Sequence, residues 1–538
     1  MSKLNYQQLI SKYRKTAKSN RLIEAIQLLN ELVRREPLNL EWIKRRAECH
    51  IRLEQYPEAL VDYAKVVEKE PENEDFLINF GAALIRCNQY DHAREILLYV
   101  TELNPKNIGS YINLSQVYDQ LGLPEEQLRV AMKAVQISPV NAMAYNNLGS
   151  VFSLLDMKNE AREAFLTAIA LDGNLIMAQF NIALIDFDMG LNQKAIEAFE
   201  VLLNSNKPTK NEKDFIRFTA SFAYFKAGLL EKGWLNYEYG FGLKISHKSP
   251  RGNGNFLKPK WDGMDLGGGG LFILREQGVT DEILFSNCFA ELECIDGNVT
   301  IQCDARLFSI FQRTYPKIKF VPDTQEILTN AFLSKFKYFS AIGSVPGIFR
   351  KKIEDFNRPT KLLEPLPKLF DDFKNRMHHC KNKKLIGICW RSGLLSVGRN
   401  TDATVLTDWG LLLREKNYQF VNLMWSECEE EMQEAENKFG IKILRWQDID
   451  MKNDFESVLA IIKNLDAVVT ISSSPYVLSS FAGVKTMLLT PDLWPLMGQK
   501  KSHPWSKFIT PFVQESNEHI LKKLDLVIEE LDSLFKSS

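Results

Sequence analysis

The sequence predicts an α + α/β protein: an N-terminal α-solenoid followed by a two-lobed, doubly wound α/β region. Three observations carry this. Proline recurs at Pro37, Pro71, Pro105 and Pro139, always 34 residues apart, a period that marks a helical repeat array. From residue 270 onward short apolar runs alternate with helix-like segments, the pattern of parallel sheets. Between the two lies KISHKSPRGNGNFLKPKWDGMDLGGGG, whose Gly, Lys and Pro content reads as a boundary. The 538-residue chain also exceeds the roughly 250–300 residues that one core can serve. The predicted organisation is therefore a solenoid over residues 1–243, a linker over 244–269, a first lobe over 270–375, and a second lobe with a C-terminal helix over 376–538.

The array has further internal order. Ala25, Ala59, Ala93, Ala161 and Ala195 share one phase of the repeat, with Gln127 the exception, and Ala47, Gly81, Ser115, Gly149 and Ala183 share another. Small residues at two fixed phases let paired helices approach closely, and the proline ends each unit because it cannot continue a helix. This pattern resembles the tetratricopeptide repeat (TPR), with six units from about Tyr6 to Thr209 and a seventh, irregular one from about Asp214 to Leu243. Asn79, Asn113, Asn147 and Asn181 also share a phase, although asparagine is a mediocre helix former. In resembling proteins such a ladder lines a concave groove and grips the backbone of an extended peptide, since a carboxamide donates and accepts at once. The alternative is that these amides tie neighbouring helices together or merely face water.

Composition narrows the function classes. Hydrophobic residues make up 45% and charged residues 25%, and 67 basic residues face 68 acidic ones. A net charge of -1 gives no general pull toward nucleic acid or an anionic membrane. No run reaches the ~18 apolar residues of a membrane span, and the opening MSKLNYQQLISKYRK lacks the apolar core of a secretion signal. The expected location is the cytoplasm. Eight cysteines without a C-x-x-C pair fit reduced, mostly buried thiols.

In the second region, strands are predicted at Gly270–Leu274, Val299–Cys303, Ile318–Val321, Leu385–Trp390, Phe420–Met424, Ile441–Leu444, Ala467–Ile471 and Thr486–Leu489. Ligands of open α/β sheets bind beyond the carboxyl ends of such strands, which singles out three junctions. After the first strand come Glu276, Gln277, Gly278 and Asp281, the aspartate standing where helix caps and substrate-facing carboxylates both occur. After Leu385–Trp390 come Arg391 and Ser392, with Arg399 nearby; guanidiniums there suit either a phosphate or an ion pair. After Ala467–Ile471 come Ser472, Ser473 and Ser474 and then Pro475, which suit an anion at a helix N-terminus or simple capping. None of these is a G-x-G-x-x-G or a P-loop, so dinucleotide and ordinary NTPase chemistry are disfavoured. The HHCKNKK stretch at His378, His379 and Cys380 reads as a basic surface segment and not as a metal site.

Together these segments resemble the heptosyltransferase-like glycosyltransferase domain that follows TPR arrays in bacterial proteins of the flagellin-modification type. The resemblance runs from about Arg251 to Val513, through Pro259-Lys-Trp-Asp-Gly263, the E-Q-G-x-x-D segment, G-I-C-W-R-S-G and the final strand–serine–helix unit. It also takes in Gly233-Trp234-x-x-Tyr237-Glu238 at the end of the last repeat.

The resemblance implies the two-lobed GT-B fold, a metal-independent reaction, a nucleotide-sugar as co-substrate and no resident cofactor. It places a general base at Asp281 and donor contacts at Gly278, Arg391, Ser392, Arg399, Ser472, Ser473 and Ser474. Three positions depart from the family: Thr280 stands for a glycine, Ser472 for an aspartate and Val477 for a histidine that would hold an adenine nucleotide. An ADP-sugar is thereby disfavoured against CMP-, UDP- or GDP-linked donors. The expected function is sugar transfer to a Ser or Thr hydroxyl of a protein, flagellin among the candidates, held in the TPR groove. The alternatives are a non-catalytic scaffold with a degenerate GT-B domain and an enzyme acting on a surface glycan precursor.

Overall fold

The computed structural model describes residues 4–243, 251, 259–323, 329–380, 382–392, 404–515 and 518–536. The chain forms two compact units, Met1–Ile185 and Asp186–Ser538. Among the described residues no helix is long and apolar enough to cross a membrane.

The first unit is a helical repeat solenoid. Its helices come in consecutive pairs, such as Leu40–Arg52 with Tyr56–Lys69, Ile108–Leu121 with Pro124–Ile137, and Ala142–Leu154 with Lys158–Leu171. The small-residue phases sit where the paired helices touch: a Cβ on Gly149 would lie 2.7 Å from the Phe165 ring, and one on Gly81 would lie 2.8 Å from Leu97. A second asparagine period starts the units. Asn39, Asn73, Asn107 and Asn141, each two residues after the repeat proline, cap the first helices by accepting from Glu41 N, Phe76 N, Ser110 N and Ala144 N. Each cap satisfies a backbone donor that the helix itself leaves unpaired.

The second unit holds two parallel sheets. The first contains β1 (Gly270–Leu274), β2 (Asn298–Cys303), β3 (Lys319–Pro322) and β4 (Tyr338–Ala341) in the order β3-β2-β1-β4. The second contains β5 (Lys384–Cys389), β6 (Tyr418–Asn422), β7 (Ala467–Ile471), β8 (Thr486–Thr490) and β9 (Ile509–Val513) in the order β6-β5-β7-β8-β9. The inner strands β7 and β8, AVVTI and TMLLT, are buried along their whole length, so they read as mainly apolar runs with only threonine as a polar member. Chain direction across each sheet reverses beside β1 in the first and between β5 and β7 in the second.

The structure corrects four expectations. Ile441–Leu444 is no strand: only Leu444 bridges to Val421, beside the sheet edge at β6. β4 and β9 were not predicted. The linker residues Pro259 to Trp261 dock on β4, with Trp261 N donating to Phe339 O at 2.7 Å. The solenoid boundary drawn at residue 243 also cuts through the second unit, which already begins at Asp186. The irregular helices Lys210–Lys226 and Leu230–Tyr237 complete their core with aromatics of the α/β part. The Phe225 and Trp494 ring centroids are 5.6 Å apart, those of Trp234 and Trp505 6.4 Å, and Trp234 Nε1 donates to Arg350 O at 2.9 Å. A terminal repeat must bury its open face on something, and here both lobes supply it.

One ion pair joins these parts. Arg251 is fully buried, and its Nε and Nη2 donate to the two carboxylate oxygens of Glu276, each at 2.8 Å. The same guanidinium donates to Tyr237 O and Ser344 Oγ, each at 2.9 Å, and lies 4.1 Å from the Tyr237 ring centroid. Gly343 N also donates to Glu276 Oε1 at 2.6 Å, so close that a Cβ on Gly343 would meet that oxygen at 2.3 Å. Removing one member of such a pair leaves a buried charge uncompensated. Arg251→Met should therefore lower unfolding stability by about 3–5 kcal/mol, measured by denaturant titration, and Arg251→Met with Glu276→Leu should regain most of that loss.

Candidate functional site

The carboxyl ends of β1 and β7 face a common cleft of about 620 Å³, within the range of small-molecule sites. Gly278, Thr280 and Asp281 follow β1, Arg306 follows β2, Leu423 and Trp425 follow β6, and Ser474 follows β7. Met451, Lys452 and Phe455 complete the wall. The cleft is thus apolar over much of its surface, with one acid, two cations and two hydroxyls among its lining side chains.

Asp281 occupies the third position of helix Val279–Phe285, and its Oδ2 accepts Gly278 N at 3.3 Å. The capping role expected at this junction is therefore present, on one carboxylate oxygen. Burial pushes the Asp281 pKa up to about 6, the Gly278 N–H pulls it back, and the nearby negative charge of Glu276 adds to the rise. Before it, Gln277 adopts a left-handed φ of 60°, an unfavoured conformation for a side-chain-bearing residue. The Gln277 amide donates to Tyr237 OH, so the end of the last repeat braces this turn.

The serine triplet divides. Ser474, the first residue of helix Ser474–Phe481, faces the cleft, and its Oγ lies 3.4 Å from Thr280 Oγ1 across the lobes. Ser472 turns to Thr490, with the hydroxyls 2.8 Å apart. Ser473 is the N-cap residue but makes no side-chain cap bond; its Oγ instead lies 3.3 Å from both Cys389 Sγ and Ile471 O.

Arg391 does not reach the cleft wall. Its Nε donates to Glu431 Oε1 at 2.8 Å, its Nη1 to Ser426 Oγ at 3.0 Å and its Nη2 to Glu427 O at 2.7 Å. The ion-pair alternative for this residue is the one observed. Ser392 follows it, half-buried, and Arg399 lies outside the described residues.

The cations that do line the cleft were missed. Arg306 is held by Asp304 through two bonds of 2.8 and 2.9 Å, and its Nη1 donates to Lys452 O at 3.1 Å. Lys452 Nζ sits 5.4 Å from the Trp425 ring centroid. Both Arg306 and Trp425 lie just beyond predicted strands, so inspecting every strand end, and not only the glycine- and serine-bearing ones, would have found them.

In the first unit the asparagine ladder serves mainly the array itself. Asn147 Nδ2 donates to Ile112 O at 3.2 Å and Asn181 Nδ2 to Asn146 Oδ1 at 3.0 Å, each a tie to another repeat, and Asn79 Nδ2 bonds Asp75 O of its own helix at 2.8 Å. Asn113 is half-buried, and its amide makes no hydrogen bond among the described residues.

Comparison with known proteins supports the repeat reading. Residues 52–115, and as two further units 108–141 and 142–175, match the tetratricopeptide repeat. Protein FlbA of Caulobacter vibrioides is 26% identical over 343 residues, which take in 61% of this chain and 56% of that relative. The chain thus matches a little over half the length of this curated relative. Among solved structures, a tetratricopeptide repeat protein from Parabacteroides merdae is 17% identical, covering 45% of this chain and 94% of that one at a TM-score of 0.39. TTC0263 of Thermus thermophilus is 20% identical, covering 34% and 97% at a TM-score of 0.31.

The raised pKa of Asp281 has a thermodynamic signature. Between the unfolded pKa near 4 and the folded value of about 6, the folded state binds more protons, so Asp281 makes stability fall as pH rises through that window. Replacing it with asparagine removes this contribution. The stability of Asp281→Asn relative to the parent should therefore climb between pH 4 and pH 6 and level off above it, read from denaturant midpoints at each pH.

Proposed function

We propose that this protein is a glycosyltransferase whose TPR array recruits a polypeptide acceptor. The observation that carries the proposal is the meeting of Asp281 and the Ser474 helix terminus in one cleft beyond the carboxyl ends of two parallel sheets. The acceptor hydroxyl oxygen attacks the anomeric carbon, its proton passes to Asp281, and the bond from that carbon to the phosphate oxygen breaks. The nucleotide leaves with the electron pair as a phosphate anion. Arg306, Lys452 and the amino end of the 474–481 helix supply fixed positive polarity for that charge. Trp425 and Phe455 offer apolar surface for a base or sugar ring. A carboxylate with a pKa near 6 is ionised at neutral pH yet basic enough to take a proton in the transition state. The donor phosphate contact first assigned to Arg391 passes in this reading to Arg306 and Lys452.

One observation favours the scaffold reading: the guanidinium expected at the donor phosphate is spent on Glu431. A direct comparison separates the two. With CMP-, UDP-, GDP- and ADP-sugars, the parent should turn over at least one donor, by transfer or slow hydrolysis, and Asp281→Asn should lower kcat by about 10²–10⁴-fold. Equal and nil turnover by both proteins over the whole panel would sink the enzymatic reading and leave a TPR scaffold.

The groove is tested separately, because its asparagines differ in how the array uses them. Asn147→Ala should lower the stability of the array by about 1 kcal/mol through its lost tie. Asn113→Ala should leave thermal unfolding unchanged and weaken binding of the polypeptide acceptor, measured by calorimetry; unchanged binding would remove the ladder from the recruitment surface.

A further inference from the structure

Helix Ser474–Phe481 has the cleft at its amino end and a second cavity at its carboxyl end. This cavity, about 500 Å³, lies between chain segment 353–362 and loop 499–508. Its wall carries Arg358, Lys361 and Lys507 and no Asp or Glu. Arg358 and Lys361 have carboxylate partners in Asp355 and Glu293, whereas Lys507 makes no ion pair among the described residues and lies 5.5 Å from the Phe508 ring centroid. The loop stretch from Gln499 to Lys507 contains Lys500, Lys501 and Lys507 and no acid, so the local charge is in excess.

A second observation points to a ligand. Two ring nitrogens of this wall are buried and make no hydrogen bond: Nδ1 of His503, in a residue 4% exposed, and Nε1 of Trp505, in a residue 1% exposed. Buried polar groups are almost always paired, and an indole N–H can only donate. Burial pushes the His503 pKa down to about 3, so that ring stays neutral. The helix end does not repel an anion with bare carbonyls, because Ser480 O accepts from Ser506 Oγ, Phe481 O from Leu363 N and Ala482 O from Lys463 Nζ.

We propose that this cavity is a second binding site, separate from the cleft, for a small ligand bearing a phosphate or carboxylate group that pairs with Lys507 and Arg358 beside the Trp505 ring. The site is independent of the glycosyltransferase reading, since none of its residues lines the cleft. Titration of the full chain with pyrophosphate in one arm and citrate in the other tests it.

The expected result is a saturable rise in Tm and a saturable shift of the Trp505 indole resonance, identified by its loss in Trp505→Phe, with at least one of the two anions. The arm that saturates at lower concentration tells phosphate from carboxylate. In Lys507→Gln/Arg358→Gln, both changed at exposed positions, the apparent Kd should rise tenfold or more with the anion-free Tm unchanged, while Asp281→Asn should bind as the parent does. No saturable shift with either anion, equal binding by the double variant, or binding lost in Asp281→Asn would each overturn the proposal.

Discussion

Arg251 and Glu276, both without solvent exposure at their side chains, form the contact on which the α/β unit is organised. A buried ion pair contributes little net stability, because desolvation offsets most of the attraction. What it contributes here is placement. Glu276 follows β1, Tyr237 ends the last repeat helix, and Ser344 follows β4, and the single guanidinium reaches all three. The geometry admits few alternatives, since Gly343 must lack a side chain for its N–H to reach Glu276. The turn that carries Asp281 is therefore held from behind by groups as much as several dozen residues away in sequence.

The same pair shapes the electrostatics in front of it. Glu276 is paired with Arg251 and stands close enough to Asp281 for its negative charge to add to the effect of burial there. Nearby, Arg275 is spent on Glu282 and Asp323, with Nε and Nη1 at 2.6 Å from each. Arg391 is spent on Glu431. The strand ends thus carry many charges, but most cancel pairwise, and the cleft keeps a single acid beside Lys452 and Arg306, the latter itself paired with Asp304. A site of this kind discriminates by where its few uncancelled groups sit, not by net charge.

What could be read from the sequence, and what could not, follows from the range of the interactions. The repeat period and most strands were legible because each is written locally: GLFIL is apolar throughout and AVVTI is broken only by the small, buried Thr470. β9 escaped because ITPFV holds Pro511, which a central strand excludes, and β9 is an edge strand beside β8 alone. β4 escaped because YFSA is four residues long and broken by Ser340. The capping asparagines at Asn39, Asn73, Asn107 and Asn141 were legible in the spacing and overlooked beside the other ladder. The fate of Arg391 was not legible, since Glu431 lies 40 residues downstream and nothing in either segment names the other.

The polar contacts across the cleft are few and weak. Thr280 and Ser474 approach only to 3.4 Å, the limit of a hydrogen bond. Arg306 reaches a backbone carbonyl at Lys452, and Arg313 pairs with Glu456 at 2.9 Å from a partly exposed position. Contacts of this type contribute about 1 kcal/mol or less each, so separating the lobes around the cleft is cheap compared with breaking the aromatic core behind it. That core, from Phe225 and Trp234 to Trp494 and Trp505, spans the last repeat and both lobes. In the glycosyltransferase reading proposed above, Thr280, where the resembling family has glycine, puts a hydroxyl beside Ser474, and a donor phosphate reaching the 474–481 helix would displace Thr280 from Ser474 or share the serine with it.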